Sequence, residues 1–167
     1  MSMLNNIRLL LLASWLGAAI FFSAAVAPSA FRVLRAFSLP NESEIAGGIV
    51  GRTLSFVNTS GFIISVALLV TAFALKKRFG QRSFIFQIIL LVIIAFATGL
   101  GEWVIAARMR GLRAAFRVPI DQVSVGDADR IAFDALHGYS VAALSVAMLA
   151  ALIAFFVISK RVRMERE

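Results

Sequence analysis

Four long apolar stretches dominate the hydrophobic pattern of the chain, and charged residues bracket each of them. The stretches cover residues 9–31, 53–75, 83–101 and 135–159, with lengths of 23, 23, 19 and 25 residues. A helix needs roughly 20 apolar residues to span the hydrocarbon core of a bilayer. Because backbone polar groups in lipid must be satisfied within the segment, each stretch is expected to be a helix. The pattern predicts an all-α integral membrane four-helix bundle with both termini on the same side.

The composition agrees with this prediction. The mean hydropathy is +0.90 and 60% of the residues are hydrophobic, more than a soluble protein of this size can bury. A transmembrane β-barrel would need short alternating strands, which the pattern lacks. No linker or repeat interrupts the chain. We predict a single domain over residues 1–167, with helices at about 7–34, 46–76, 83–113 and 130–160.

The net charge of +8 is placed as in a membrane protein, not as in a nucleic-acid-binding protein. Basic residues cluster at the ends of the apolar runs, where they contact lipid headgroups. If all four helices span, the side of the termini carries nine basic residues, and the other side carries eight arginines interleaved with acids. The tight runs Lys76-Lys77-Arg78 and Lys160-Arg161 fall on the side of the termini. We predict a bacterial inner (plasma) membrane, cytoplasmic N- and C-termini, membrane lipid as partner and no nucleic acid.

The first apolar stretch also resembles a secretory signal, because Ala25-Val26-Ala27 imitates a cleavage site. Pro28 argues against cleavage, since it would directly follow the scissile bond, and the apolar run exceeds a typical signal core. Cleavage stays open as an alternative that would leave three helices.

Polar residues enter the apolar runs mainly at the end of the bundle opposite the termini. A charged group at a bilayer centre costs on the order of 2.5 to 3.5 kcal/mol, so these groups should face each other or water. We therefore expect an outward-facing polar pocket, with nothing comparable in the other half. The ligand-binding candidates are Arg52, Asn58, Glu102, Arg108, Arg113, Asp134, His137 and Ser140. The structural alternative is that Glu102 or Asp134 forms an ion pair with Arg52 or Arg108 and only locks the helices together.

His137 is the only histidine, and Asp134 lies one turn from it on the same helix face. The aspartate could hold one ring nitrogen and leave the other available. The chain has no cysteine, and its internal soft ligands are Met109, Met148 and His137, too few for a convincing copper site. We expect no metal site. The cofactor is unknown, with haem on His137 and an arginine rim for its propionates as an open alternative.

Two further segments suggest packing or motion. Small residues at Gly47, Gly51, Ser55 and Thr59 recur every four positions, which would let a neighbouring helix or a second copy approach closely. A homodimer is therefore permitted. The segment 111–130 is the longest polar stretch and carries three aspartates, so it is the candidate lid.

Several motifs together resemble a known family. They are Trp15-Leu16-Gly17, Phe21-Phe22, Ala27-Pro28, Ala46-Gly47, Gly51-Arg52, Arg108-Met109, Leu112-Arg113 and Leu136-His137, followed by Ser140. In order and spacing they resemble the transmembrane protein 205-like family, a membrane domain of unknown function. More distantly, the layout is similar to the membrane domain of copper-resistance proteins and to the four-helix protoporphyrinogen-oxidising membrane family. The resemblance implies a four-helix membrane protein without an established reaction, and it marks Arg52, Arg108, Arg113 and His137 as matching polar positions.

Three functions follow from these residues. The first is binding, or helping to move, a small anionic ligand or lipid headgroup at the arginines. The second is a haem- or quinone-associated oxidoreductase that uses His137. The third is a structural or assembly subunit whose polar cluster only holds helices together. No phosphate-binding loop, nucleophile elbow or zinc-spaced histidine pair is present, so a non-enzymatic role is favoured.

Overall fold

The computed structural model describes residues 2–39, 41–75 and 81–164, and the regular elements of these residues are all helical. Four long helices follow one another, and two of them contain a π-helical segment. Helix α1 comprises Ser2–Phe21, a π-helical turn Phe22–Val26 and Ala27–Ala36; α2 is Glu42–Ala74; α3 comprises Gln81–Gly99, a π-helical segment Leu100–Ala106 and Ala107–Ala115; α4 is Ala128–Met164. A short 3₁₀ turn, Ile120–Gln122, lies in the α3–α4 connection.

The helices are longer than the apolar pattern predicts. The largest difference inside the described residues is at α1, which begins at Ser2 instead of residue 7, and α2 begins at Glu42 instead of residue 46. Glu42 and Glu44 lie in its first turn, where negative charge is favoured by the helix dipole. The backbone N–H of Ser43 donates to the Asp121 carboxylate at 3.2 Å, which satisfies one otherwise open donor. The predicted end of α2 at residue 76 lies outside the described residues, as does the run Lys76-Lys77-Arg78.

Successive helices are antiparallel, so both termini lie at the same end of the bundle. Contacts near the helix ends show this alternation: Arg8 Nη2 to Leu68 O (3.4 Å), Arg35 to Glu42 (3.8 Å), Phe73 to Phe84 (ring centroids 5.6 Å apart) and Phe116 to Phe133 (6.5 Å). We call the end with the termini the terminal end. The opposite end, where α1 joins α2 and α3 joins α4, is the connection end.

The middle of the bundle is apolar and closely packed. Trp15 on α1 is 3% exposed, and its Nε1 donates to the Val57 carbonyl on α2 at 2.8 Å. Gly61 makes this contact possible, because a Cβ there would lie 2.6 Å from the indole ring. Leucine, isoleucine and alanine side chains complete this core, among them Leu12, Leu68, Leu91, Ile94, Ala147, Ala151 and Ala154.

The outside of the bundle is also apolar. Large side chains such as Phe21, Phe56 and Phe96 are between 65% and 71% exposed. All four helices are long and apolar enough to cross a membrane. An apolar outer surface around an apolar core is expected of a helical bundle that is surrounded by lipid. The predicted four-helix membrane bundle is confirmed, and the chain is a multi-pass membrane protein.

Candidate functional site

The eight predicted site residues differ in burial. Asn58, Glu102 and Ser140 are buried, at 3%, 7% and 6% exposure. Arg113 is partly buried. The remaining four, Arg52, Arg108, Asp134 and His137, are exposed. The connection end therefore has a small buried polar centre and an exposed charged rim.

Glu102 is the charged member of the buried centre and lies in the π-helical segment of α3. Its Oε1 accepts a hydrogen bond from Arg110 Nη1 at 3.3 Å. Its Oε2 is buried and has no hydrogen-bond partner among the described residues. The structural alternative paired this carboxylate with Arg52 or Arg108, but Arg110 on the same helix is its ion-pair partner. A π-helical segment inside an α-helix often marks a functional position.

Asn58 reaches the same region from α2. Its Nδ2 lies 3.0 Å from where a Cβ on Gly101 would be, so the glycine allows the amide to approach the α3 backbone next to Glu102. Ser140 lies on α4, which packs against the π-helical segment of α3. Helix α2 thus brings a buried amide against the α3 backbone next to Glu102, and α4, which packs against the same segment, carries a buried hydroxyl.

Arg113 belongs to a clasp between helices. Its Nε lies 3.5 Å from Glu44 Oε1, and its guanidinium stands 5.3 Å from the centre of the Phe133 ring. Gly47 makes room for it, because a Cβ at this position would be 2.5 Å from Arg113 Nη2. The first glycine of the predicted small-residue stripe therefore accommodates an arginine, whereas Gly51 has nothing within 4 Å of its Cβ position.

The α3–α4 connection is tied to the beginning of α2. The Ile120 N–H donates to Glu44 Oε2 at 3.3 Å, and the Ile120 carbonyl accepts from Arg130 Nη1. Ile120 itself is 5% exposed. The part of the candidate lid around Ile120 is anchored by these bonds, and its role as a lid stays a prediction.

Asp134 and His137 do not pair as expected. Asp134 Oδ2 accepts from Arg130 Nε at 3.2 Å, an i,i+4 ion pair on α4. His137 is exposed and makes no hydrogen bond within the part of the chain that the structure describes. Arg130 carries a full positive charge and lies four residues from Asp134, so it takes the carboxylate in preference to the imidazole.

The eight arginines of the connection end divide evenly. Four form ion pairs: Arg35 with Glu42, Arg110 with Glu102, Arg113 with Glu44 and Arg130 with Asp134. The other four are exposed and have neither an ion pair nor a hydrogen bond from the side chain within the described residues: Arg32, Arg52, Arg108 and Arg117. These arginines therefore form two sets, one ion-paired and one exposed without an acidic partner among the described residues.

Arg52 and Arg108 lie at the same level on neighbouring helices. The Gly47 to Arg113 contact sets the antiparallel register of α2 and α3. Arg52 lies five residues beyond Gly47, and Arg108 lies five residues before Arg113. Equal steps from one contact along antiparallel helices reach equal depth, about 7.5 Å from it.

Buried polar residues also lie toward the terminal end, where the sequence predicted nothing comparable. Asn5, Arg8 and Gln87 are 4%, 1% and 0% exposed. Arg8 donates to Asn5 Oδ1 and to the Leu68 carbonyl, each at 3.4 Å. Both amide atoms of Gln87 are buried without a hydrogen-bond partner in the described ranges. Gln87 interrupts the apolar run 83–101, and that interruption is the signal that could have identified it.

Comparison with known proteins places the chain in a family without assigning an activity. No curated protein and no solved structure matches it. Residues 10–117 match a family described as Domain of unknown function (DUF4149). The match covers most of α1 and all of α2 and α3, including Asn58, Glu102 and the exposed Arg52 and Arg108. Because the matched segment is more than half of the sequence, the chain belongs to the DUF4149 family of domains of unknown function.

Proposed function

We propose that the connection end of this membrane protein binds an anionic group through Arg52 and Arg108. The group is the phosphate or carboxylate of a small ligand or of a lipid headgroup. The observation that carries the proposal is that these two arginines are exposed and without an acidic partner in the described structure, while their neighbours Arg110 and Arg113 are ion-paired.

Arginine suits this role because its planar guanidinium donates two parallel hydrogen bonds to phosphate or carboxylate oxygens. Near the membrane surface each basic residue contributes about 1 kcal/mol to the attraction of anionic lipid. Both arginines are exposed at the connection end, so each can contribute to the binding of an anionic group. The ion-paired arginines contribute less, since their charge is already neutralised.

The buried centre supports the rim from below. Glu102 precedes Arg108 by six residues, about 9 Å deeper along α3. Asn58 and Glu102 are expected to hold polar parts of the ligand or water at this depth, with Ser140 as a further hydroxyl. Arg113 is expected to position α2 and α3 through Glu44, and Asp134 to hold Arg130. His137 remains a predicted member of the rim.

The wider setting is part of the same proposal. We infer a bacterial inner membrane location with both termini cytoplasmic, which places the arginine rim on the outer face. We also expect the protein to help in moving the ligand and to form a homodimer. A single four-helix bundle with an apolar core leaves little room for a polar pathway, so a second copy is expected to contribute to it. Within the broader family, the resemblance to transmembrane protein 205-like proteins is retained as a hypothesis.

Native mass spectrometry of the detergent-purified protein tests the binding. The probes are phosphatidylglycerol, phosphatidylcholine with the same acyl chains, and glycerol phosphate as a headgroup without chains. We expect Arg52→Gln/Arg108→Gln to weaken the binding of the anionic probes about 30-fold, from two surface charges. The charge-matched control is Arg82→Gln/Lys160→Gln at the terminal end, which should bind like the wild type.

Equal binding by both double variants would overturn the proposal. A stoichiometric haem or quinone mass in the wild-type spectrum would also overturn it and favour the oxidoreductase alternative with His137. If Arg52→Gln/Arg108→Gln loses the glycerol phosphate adduct together with the lipid adduct, the ligand is identified as a free anion. If this variant loses only the lipid adduct, the ligand is identified as the headgroup of a membrane lipid.

A further inference from the structure

The last turns of α1 form an open groove that the eight predicted site residues do not include. Its volume is about 540 Å³, and it is lined by Pro28, Phe31, Arg32, Arg35 and Ala36. These positions are spaced by three, four, seven and eight residues from Pro28, so they share one helix face. The face is apolar at its deeper part and basic toward the end of the helix.

The charge in the groove is available to a ligand. Arg32 has no ion pair or hydrogen bond from its side chain within the described ranges. Arg35 lies 3.8 Å from Glu42, and its side chain is 74% exposed. An ion pair of this length and exposure contributes little and is easily exchanged for another anion. Two guanidinium groups one helical turn apart can therefore bind one phosphate.

The depth of the groove matches that of a lipid headgroup. It lies where the apolar stretch 9–31 ends, in the last turns of the helix that reaches Ala36. Toward the membrane centre, Ile20 and Phe21 are 51% and 65% exposed, so this part of α1 contacts acyl chains. Phe21 and Arg32 are eleven residues apart, about 16 Å, or half of a ~30 Å hydrocarbon core. One lipid of a single leaflet spans that distance.

We propose that this groove seats one anionic phospholipid, with its phosphate on Arg32 and Arg35 and the start of an acyl chain on Phe31 and Pro28. A free phosphate would use the arginines and leave the apolar floor uncovered. A neutral lipid would use the floor and leave the two cations without a counter-charge. An anionic phospholipid satisfies both. The site is separate from Arg52 and Arg108 and does not depend on the binding proposed for them.

The test uses full-length protein that has been delipidated in detergent and titrated with phosphatidylglycerol, with bound lipids counted by native mass spectrometry. The wild type is expected to retain one tightly held lipid through this groove. Arg32→Gln/Arg35→Gln should weaken it about 30-fold. Arg32→Lys/Arg35→Lys should retain most of the binding because it keeps the charge. Phe31→Ala should weaken phosphatidylglycerol without changing glycerol phosphate.

The double variant Arg82→Gln/Lys160→Gln is the control, since it removes the same charge from exposed positions at the other end of the bundle. Retention of the lipid by this control, with loss in the Arg32/Arg35 variant, supports the groove. Equal loss in both double variants would mean general surface charge and would overturn it, as would unchanged binding in the Arg32/Arg35 variant. Glycerol phosphate binding as tightly as the lipid would also contradict a phospholipid seat. Thermal stability of every variant is compared first, and the lysine variant answers the question if the glutamine variant does not fold.

Discussion

At the scale of single residues, Gly61 sets the closest approach of α1 and α2. A Cβ at this position would lie 2.6 Å from the Trp15 ring, and Trp15 is held by its bond to the Val57 carbonyl. Gly61→Ala is therefore expected to lower the free energy of unfolding by about 1–3 kcal/mol through overpacking. Thermal unfolding in detergent, followed by circular dichroism, measures this.

Gly17→Ala is the matched control, since Gly17 has nothing within 4 Å of its Cβ position and lies in the same bundle. Replacing a helical glycine by alanine without a clash is expected to be neutral or to stabilise by up to about 1 kcal/mol. The same loss of stability in both variants would contradict the role assigned to Gly61.

Gln87 gives a residue-scale prediction of opposite sign. Its side chain is fully buried, and neither amide atom has a partner in the described ranges. Removing an unsatisfied buried polar group relieves a cost of about 1–3 kcal/mol. Gln87→Met keeps a similar volume and is expected to raise the thermal unfolding midpoint. Thr98→Val is the control, because the Thr98 hydroxyl donates to the Ile94 carbonyl at 2.7 Å and its removal should not stabilise. A destabilised Gln87→Met variant would contradict the assignment of an unsatisfied amide at this position.

At the scale of elements, the π-helical segments have identifiable surroundings. In α1 the Ala27 N–H donates to Phe22 O, and Pro28 directly follows without an N–H of its own. A missing donor interrupts the regular i to i−4 ladder, so a wider turn before the proline is favoured. In α3 the π-helical segment contains Glu102. The apolar pattern predicts the helices but not these turns, because it records hydrophobicity and not the hydrogen-bond ladder.

The clasp between α2 and α3 is the second feature of this scale. Glu44 and Arg113 join the first turn of α2 to the end of α3, with side chains 33% and 26% exposed. A double-mutant cycle with Glu44→Gln and Arg113→Met is expected to give a coupling of about 1 kcal/mol, including the contact with Phe133. The more exposed Asp134 and Arg130 pair, within one helix, should couple by only about 0.3–0.5 kcal/mol. Equal couplings would show that the clasp adds nothing beyond a surface ion pair.

At the scale of the whole molecule, the property to measure is which end of the bundle faces the cytoplasm. The chain has no cysteine, so single introduced cysteines report their side of the membrane directly. Met3 is 73% exposed near the terminal end, and Gln122 is exposed in the α3–α4 connection. In intact cells, a membrane-impermeant maleimide is expected to label Gln122→Cys and to label Met3→Cys only after lysis. The reverse pattern would place the arginine rim in the cytoplasm.

The candidate site was predicted unevenly for a physical reason. Sequence depth placed the charged candidates at one end, because apolar spans push charge toward the interfaces, but it missed the buried polar Asn5, Arg8 and Gln87. It could not separate Glu102, which is buried, from Arg52, which is exposed, since rotation about the helix axis depends on packing. The expectation that basic residues at the ends of apolar runs contact headgroups fails for Arg8, whose side chain is buried against Asn5 and the Leu68 carbonyl.

The sequence by itself determined the solvent, the helix number and the all-α fold, because lipid imposes length and backbone satisfaction on each segment independently of its neighbours. Which charges neutralise each other follows from the packing of the helices. Arg110 and Arg130 took Glu102 and Asp134, while Arg52 and Arg108 were left exposed. Such choices depend on distances of a few ångströms between side chains, and a hydrophobic pattern along the chain does not contain them.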